Sequence, residues 1–211
     1  MQRNEVGLAF TPREIFDILV SWIALAVAYT LAFRSLLYIF QVPIGMFFLI
    51  SMAVSGIQFV GHEMAHKFTA MHYGLEAHFR PNYFMILLGV LISISGILFF
   101  APGAVVIESY GLSRRTYGIS SMAGPLTNIL VAGAMLPLFY MIWEGILVLS
   151  DVWALFIFAL YTLNAIVALW NMLPFGPFDG RKILAWSPAV FTIMIVAAGL
   201  LTLVYYILVF F

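Results

Sequence analysis

Long apolar runs, separated by short polar segments, make up almost the whole chain. Five of these runs are long enough to cross a hydrocarbon layer of about 30 Å as helices. They are Ile18–Phe40, Pro43–Thr69, Ile119–Trp143, Val152–Met172 and Pro188–Phe211. The pattern therefore predicts an all-α membrane protein, folded as a polytopic helical bundle.

A sixth apolar run, Phe84–Phe100, is shorter, and whether it crosses the membrane decides the topology. Gly89 and Gly96 interrupt this run, Pro81 precedes it and Pro102 follows it. Such residues are typical of turns and helix ends. The run forms either a sixth spanning helix or a re-entrant hairpin that returns to the side from which it entered.

The distribution of Lys and Arg favours the re-entrant hairpin. If the sixth run does not cross, eight of the nine Lys and Arg residues lie on one side of the membrane and only Arg34 lies on the other. The eight are Arg3, Arg13, Lys67, Arg80, Arg114, Arg115, Arg181 and Lys182. A crossing run would divide the nine almost evenly. Because cytoplasmic segments carry the excess of positive charge, we predict five spanning helices with a cytoplasmic amino terminus.

Two short strands are expected beside the hairpin, at Glu76–Arg80 and Ala104–Ile107. Extended backbone at this depth must be covered by protein or line a cavity, because lipid offers it no hydrogen bonds. The predicted fold is thus five spanning helices plus a re-entrant hydrophobic hairpin with short flanking strands.

Composition supports a membrane protein and excludes several other classes. Hydrophobic residues make up 64% of the chain and charged residues 9%, whereas soluble domains have about 25% charged residues. The polar start lacks a small-residue cleavage site, so we interpret it as a short tail and not as a removable signal peptide. The absence of cysteine excludes thiolate metal sites, and the lack of a basic patch argues against nucleic-acid binding. We expect one integral membrane domain over residues 1–211.

Candidate chemistry appears where polar residues interrupt an apolar helix. His62, Glu63 and His66 follow a stretch from Val42 to Val60 that has no charged residue. Residues four apart lie on one face of a helix, so one metal ion can bind both imidazoles. Glu63 lies beside them, where a carboxylate can act as general base on a water. Zinc is the metal that best suits such ligands.

A catalytic zinc site needs a third protein ligand, and two residues compete for that role. His72 has the spacing of a metzincin ligand but lies on another face of the helix, and Thr69 stands where metzincins have the glycine that turns the chain back. Asp179 lies among Pro and Gly residues after the fourth long apolar run. With a re-entrant hairpin, Asp179 and the two histidines lie on the same side of the membrane. The sequence therefore favours Asp179.

Three motifs resemble those of the site-2 proteases, a family of intramembrane zinc metalloproteases. The first is His-Glu-x-x-His at His62–His66, the second is Gly-Pro-x-x-Asn at Gly124–Asn128, and the third is Asn-x-x-Pro-x-x-x-x-Asp-Gly at Asn171–Gly180. Together they cover a catalytic core from about residue 43 to residue 185. The PDZ and CBS domains of larger relatives are not found in this sequence, which makes it similar to a short form of the family.

The resemblance implies hydrolysis of peptide bonds in or near transmembrane segments, with one zinc ion per chain and membrane-protein substrates. Glu63 is then the catalytic base, and Asn128 or Asn171 is a hydrogen-bond donor to the oxyanion or the substrate. The expected location is the plasma membrane, with the active site toward the cytoplasm. The alternative is a metal-binding membrane protein without protease activity, or a metal transporter. The absence of an internal repeat argues against a transporter.

Overall fold

The computed structural model describes residues 10–99, 101–108 and 113–210 of the chain. Arg3 of the charge count, and Phe100 and Phe211 at the ends of two apolar runs, lie outside the described residues. The helices are α1 (Pro12–Ala32), α2 (Leu36–Ile39), α3 (Ile44–Ser55), α4 (Gly61–His72), α5 (Tyr83–Ser93), α6 (Arg114–Trp143), α7 (Asp151–Asn171), α8 (Asp179–Trp186) and α9 (Pro188–Phe210). The strands are β1 (Glu76–Pro81) and β2 (Gly103–Glu108).

Among the described residues, five helices are long and apolar enough to cross a membrane, as the hydrophobic runs predict. They are α1, the continuous helix Ile44–His72, α6, α7 and α9. A π-helical segment, Gly56–Val60, joins α3 to α4 without a break. α1 begins earlier than its apolar run, because Thr11 caps it by accepting a hydrogen bond from the Glu14 backbone N–H at 3.1 Å. It ends at Ala32, well before the predicted Phe40.

Within its described residues, 84–99, the helix of the sixth apolar run is α5, which has 11 residues and begins at Tyr83. At 1.5 Å per residue this helix is about 16 Å long, too short to cross a hydrocarbon layer of about 30 Å. β1 and β2 flank it and pair antiparallel, from Glu76 opposite Glu108 to Pro81 opposite Gly103. A side chain at Gly103, where φ is +147°, would come within 2.3 Å of the Arg80 carbonyl oxygen. The strand pair therefore brings the chain back beside the point where it left α4.

The centre of the bundle is α7, which packs against α3, α6 and α9. Tyr161 of α7 is fully buried, and its ring stacks on Phe139 of α6 with a centroid distance of 4.7 Å. Its hydroxyl donates to the Leu201 carbonyl oxygen of α9 at 2.6 Å. α9 leaves large apolar side chains such as Ile193 and Leu200 more than half exposed. Such a face suits contact with lipid.

A buried ion pair between Lys67 and Glu14 links α4 to α1 and β1. Lys67 is 1% exposed and donates to both carboxylate oxygens of Glu14, at 2.6 and 2.7 Å, and to the Ala77 carbonyl oxygen at 2.8 Å. Glu14 also accepts from the Phe79 backbone N–H at 2.9 Å. A buried charge needs such a partner, because desolvating it alone is very costly. Lys67, next to His66, thus stabilises the packing of α1 and β1 on α4. It is also one of the eight cations on the predicted cytoplasmic side.

Candidate metal centre

α4 holds the two histidines of the first motif on one face, as their spacing predicts. Their rings are buried, at 5% and 8% exposure, and the two Nε2 atoms lie 3.0 Å apart. The Nδ1 atom of His66 bonds to the Ser120 carbonyl oxygen at 2.7 Å. Since a carbonyl only accepts, Nδ1 carries the hydrogen, and the Nε2 atom of neutral His66 presents its lone pair to the site.

Asp179 reaches this pair of histidines from the start of α8. Its Oδ2 atom lies 3.0 Å from His66 Nε2 and 3.6 Å from His62 Nε2. The start of α8 is in close contact with the end of α7, since a Cβ atom on Gly180 would come within 2.3 Å of the Met172 carbonyl oxygen. Gly180 is therefore needed for the Asp179 carboxylate to reach the two histidines. In the described part of the chain, His62, His66 and Asp179 form a group of side chains that could hold a metal ion.

The environment of Asp179 keeps its carboxyl group ionised. Burial of the carboxyl opposes ionisation, but His66 and His62, when protonated, and the Lys182 ammonium hold the pKa of Asp179 well below its usual range. Lys182 donates to the other carboxylate oxygen, Oδ1, at 3.0 Å. Asp179 can therefore offer Oδ2 to a cation while Oδ1 stays bound to Lys182.

These three side chains fit a zinc ion. Zinc bonds of about 2.0–2.2 Å at tetrahedral angles place ligand atoms about 3.3–3.6 Å apart, and the three separations here are 3.0, 3.0 and 3.6 Å. A proton can be shared between only two of the three ligand atoms, whereas a metal cation accepts a lone pair from each of them. Two imidazoles and one carboxylate leave a fourth tetrahedral position for a water or a substrate.

The structure does not bring His72, the competing third ligand, to this site. His72 is the last residue of α4, is exposed, and packs its ring against Tyr73 with a centroid distance of 5.4 Å. It lies on a different face of α4 from His62 and His66, as the angular argument predicts.

Glu63 lies between the two histidines and β2. Its side chain is 7% exposed, and its Oε2 atom accepts a hydrogen bond from the Val105 backbone N–H at 2.9 Å. Val105 is opposite Phe79 in the strand pair, and the N–H groups of both residues point away from the partner strand, toward Glu63 and Glu14. The unpaired edge of β2 therefore faces the candidate base.

Asn128 lies behind His62 and does not reach into the open side of the site. Its Oδ1 atom bonds to His62 Nδ1 at 2.6 Å, and its two amide hydrogens go to the Gln58 carbonyl oxygen at 3.0 Å and to Asn164 Oδ1 at 2.8 Å. With both hydrogens used, Asn128 has none to donate to an oxyanion. It holds the His62 ring and selects the tautomer whose Nε2 faces the site.

Asn164 was not singled out from the sequence, although a fully buried Asn in the middle of an apolar helix is a recognisable signal. Its amide nitrogen donates to the Leu160 carbonyl oxygen at 2.8 Å, which leaves Oδ1 to orient Asn128. Asn171, the other predicted substrate contact, donates within its own helix to the Val167 carbonyl oxygen at 3.1 Å. In the described structure Asn171 makes no hydrogen bond to the three candidate ligands or to Glu63.

Replacing Asn128 by Leu is expected to weaken zinc binding by about 10- to 100-fold, because His62 loses the group that orients it. Asn171→Leu is the matched control, and we expect it to keep zinc affinity within about twofold, because Asn171 bonds only within its helix. Zinc affinity is measured by competition with a chelator of known affinity. Equal losses in the two variants would contradict this role for Asn128.

Gly124 of α6 faces the Nε2 atoms of the two histidines at close range. A Cβ atom there would come within 2.3 Å of His66 Nε2 and 2.6 Å of His62 Nε2. Gly124→Ala is therefore expected to displace the rings and lower zinc affinity by about 100-fold or more. Gly133→Ala, in the same helix, meets nothing within 4 Å and should leave zinc affinity unchanged. Metal content after dialysis distinguishes the two, and full zinc occupancy in Gly124→Ala would refute the close approach.

The fold and the site together define a class, that of polytopic helical proteins with membrane-length helices and a buried His–His–Asp centre. A protein of Methanocaldococcus jannaschii named "Putative zinc metalloprotease" is 34% identical to the chain over 186 residues, which is 88% of this chain and 90% of the relative. The chain belongs to the family of this zinc metalloprotease. No protein-family model matches the chain, and no solved structure matches it.

Proposed function

We propose that the protein is a zinc-dependent intramembrane endopeptidase of the site-2 protease type. The observation that carries the proposal is the convergence of three metal-ligating atoms beside a buried carboxylate, within helices of membrane length. His62, His66 and Asp179 are the proposed zinc ligands, and Glu63 is the proposed catalytic base. Family membership at the level of zinc metalloprotease agrees with this chemistry.

The reaction divides between the metal and Glu63. Zinc, when bound, supplies a Lewis acid that lowers the pKa of a water to about 7 and polarises a carbonyl group. Glu63 accepts the proton of the attacking water and returns it to the leaving amine. Asn128 and Asn164 keep the His62 ring in place throughout, and Lys182 does the same for Asp179.

The substrate is proposed to bind as an extended strand along β2. A peptide bond in a transmembrane helix is shielded by the hydrogen bonds of that helix, so the cleaved segment must unwind. The edge of β2 next to Glu63 is not paired with β1, so its backbone groups can bind this segment by strand addition once the Val105 N–H exchanges Glu63 for the substrate. α5, which is too short to cross, is the proposed re-entrant segment, and it packs against α1 next to this strand pair.

The proposed orientation places the metal centre toward the cytoplasm. Of the eight clustered cations, Lys67, Arg181 and Lys182 lie within three residues of a proposed zinc ligand. Arg13 and Arg114 lie in the first turns of α1 and α6. By the positive-inside rule the side on which these cations lie is the cytoplasmic side. We propose the plasma membrane as the location and membrane proteins with a transmembrane segment as the substrates.

The proposal is tested with the purified full chain in lipid vesicles that also contain a transmembrane model substrate. We expect cleavage that 1,10-phenanthroline abolishes and added zinc restores. A parallel assay follows zinc flux across the same vesicles. Zinc flux without any cleavage would overturn the protease and favour a transporter, and cleavage that resists the chelator would exclude zinc catalysis.

A further inference from the structure

A cavity of about 360 Å³ lies outside the metal centre, between the start of α6 and α8 with the loop that precedes α8. Its lining includes three cationic side chains, Arg114, Arg181 and Lys182. Tyr117 and Trp186 supply aromatic walls. Of these charged and aromatic side chains, the proposed protease function uses only Lys182, which holds Asp179.

The charge in the cavity is only partly balanced. Lys182 is paired with Asp179, 3.0 Å from its Oδ1 atom. No carboxylate of the described residues forms a salt bridge with Arg114 or Arg181. Arg114 also stands in the first turn of α6, where the helix dipole disfavours a cation, and that turn has no acidic residue. Both arginines are exposed to solvent. A bound anion would give each of them a partner and would offset the helix dipole at Arg114.

The position of the cavity favours an anion that resides at the membrane surface. α9, whose exposed apolar face suits lipid, begins two residues after Trp186. Trp and Tyr are enriched at the level of lipid headgroups. Arg is the side chain that best matches a phosphate group, because its planar fork donates two parallel hydrogen bonds. Cations that served only as topology anchors would need no cavity between them.

We propose that this cavity binds the phosphate group of an anionic phospholipid, held by Arg114 and Arg181. The lipid would sit next to Lys182, and through Lys182 next to Asp179 of the metal centre. The inference goes beyond the proposed protease function and does not require a metal to be bound.

The test compares two neighbouring arginines. Arg115 follows Arg114 in the same turn and is exposed as Arg114 is, but it does not line the cavity. The full chain in neutral detergent is titrated with short-chain phosphatidylglycerol or phosphatidylcholine, and bound lipid is counted by native mass spectrometry. We expect Arg114→Gln and Arg181→Gln each to weaken phosphatidylglycerol binding about tenfold, the loss of a charge-assisted phosphate contact. Arg115→Gln should stay within about twofold, since it removes the same charge without the contact.

The measured lipid preference and its dependence on Arg114, Arg181 and Arg115 decide whether the cavity is a lipid site. Preference for phosphatidylglycerol that depends on Arg114 and Arg181 but not on Arg115 supports the lipid site. Inorganic phosphate that competes with the lipid, with the same dependence, identifies a phosphate site open to a soluble anion as well. Equal binding of the two lipids, or equal effects of Arg114→Gln and Arg115→Gln, would show general electrostatic attraction and overturn the proposal. Arg181→Gln, on a different helix, keeps the test valid if Arg114→Gln does not fold.

Discussion

Replacing Glu63 by Gln is expected to lower cleavage of a membrane-embedded substrate by about 10²–10⁴-fold while zinc stays bound, because that is the usual contribution of a general base. Gln has the shape of Glu, and its amide oxygen can still accept from the Val105 N–H. It cannot take a proton from water. The loss should therefore fall on the rate of the chemical step, with little change in the fold or the zinc content.

The measurement pairs cleavage rates in vesicles with zinc content by mass spectrometry. Glu144→Gln is the matched control, since Glu144 is an exposed residue at the end of α6 that takes no part in the site. It should cleave at the unmodified rate. Cleavage by Glu63→Gln at that same rate would remove Glu63 as the base, and loss of zinc in Glu63→Gln would mean that the carboxylate supports the metal instead.

Replacing Asp179 by Asn is expected to weaken zinc binding by at least about 100-fold and to abolish cleavage with it. The substitution removes the one anionic ligand, which lies 3.0 Å from His66 Nε2, and leaves Lys182 without its partner. Loss of a direct ligand should exceed the 10- to 100-fold cost typical of losing a group that only supports a ligand.

His72→Ala is the control for Asp179→Asn, because His72 is the other residue that the sequence offers as third ligand. The exposed His72 ring is remote from the centre in this structure, so the variant should bind zinc with unchanged affinity. Chelator competition on both variants gives the answer. Weak binding in His72→Ala together with tight binding in Asp179→Asn would reverse the assignment of the third ligand.

Local pattern was enough to predict the five long helices, because their signal is carried by neighbouring residues. Apolar runs of membrane length predict helices wherever they occur, and the ends were wrong by several residues only where capping or a break intervened, as at Thr11 and Ala32. The pairing of His62 with His66 is equally local, since it follows from the period of one helix.

The supporting residues could not be predicted as reliably, because their roles depend on contacts between helices. Asn128 and Asn171 are equally plausible substrate contacts in sequence, yet Asn128 is bound to His62 and Asn171 only to its own helix. The Lys67–Glu14 pair joins residues 53 apart in the chain, and the local sequence around either residue does not predict it. The contact of Val105 with Glu63 is a backbone contact and has no side-chain signal at all.

By itself the amino-acid sequence determined that this is a helical protein of membrane character with two histidines and a glutamate on one face of one helix. It also reduced the candidates for the third metal ligand to His72 and Asp179. Only the tertiary structure decided that Asp179 meets the histidines, that β2 turns its free edge toward Glu63, and that Arg114 and Arg181 share a cavity. The physical reason is range: helix formation depends on residues within a turn of one another, whereas these contacts depend on how α4, α6 and α8 pack together.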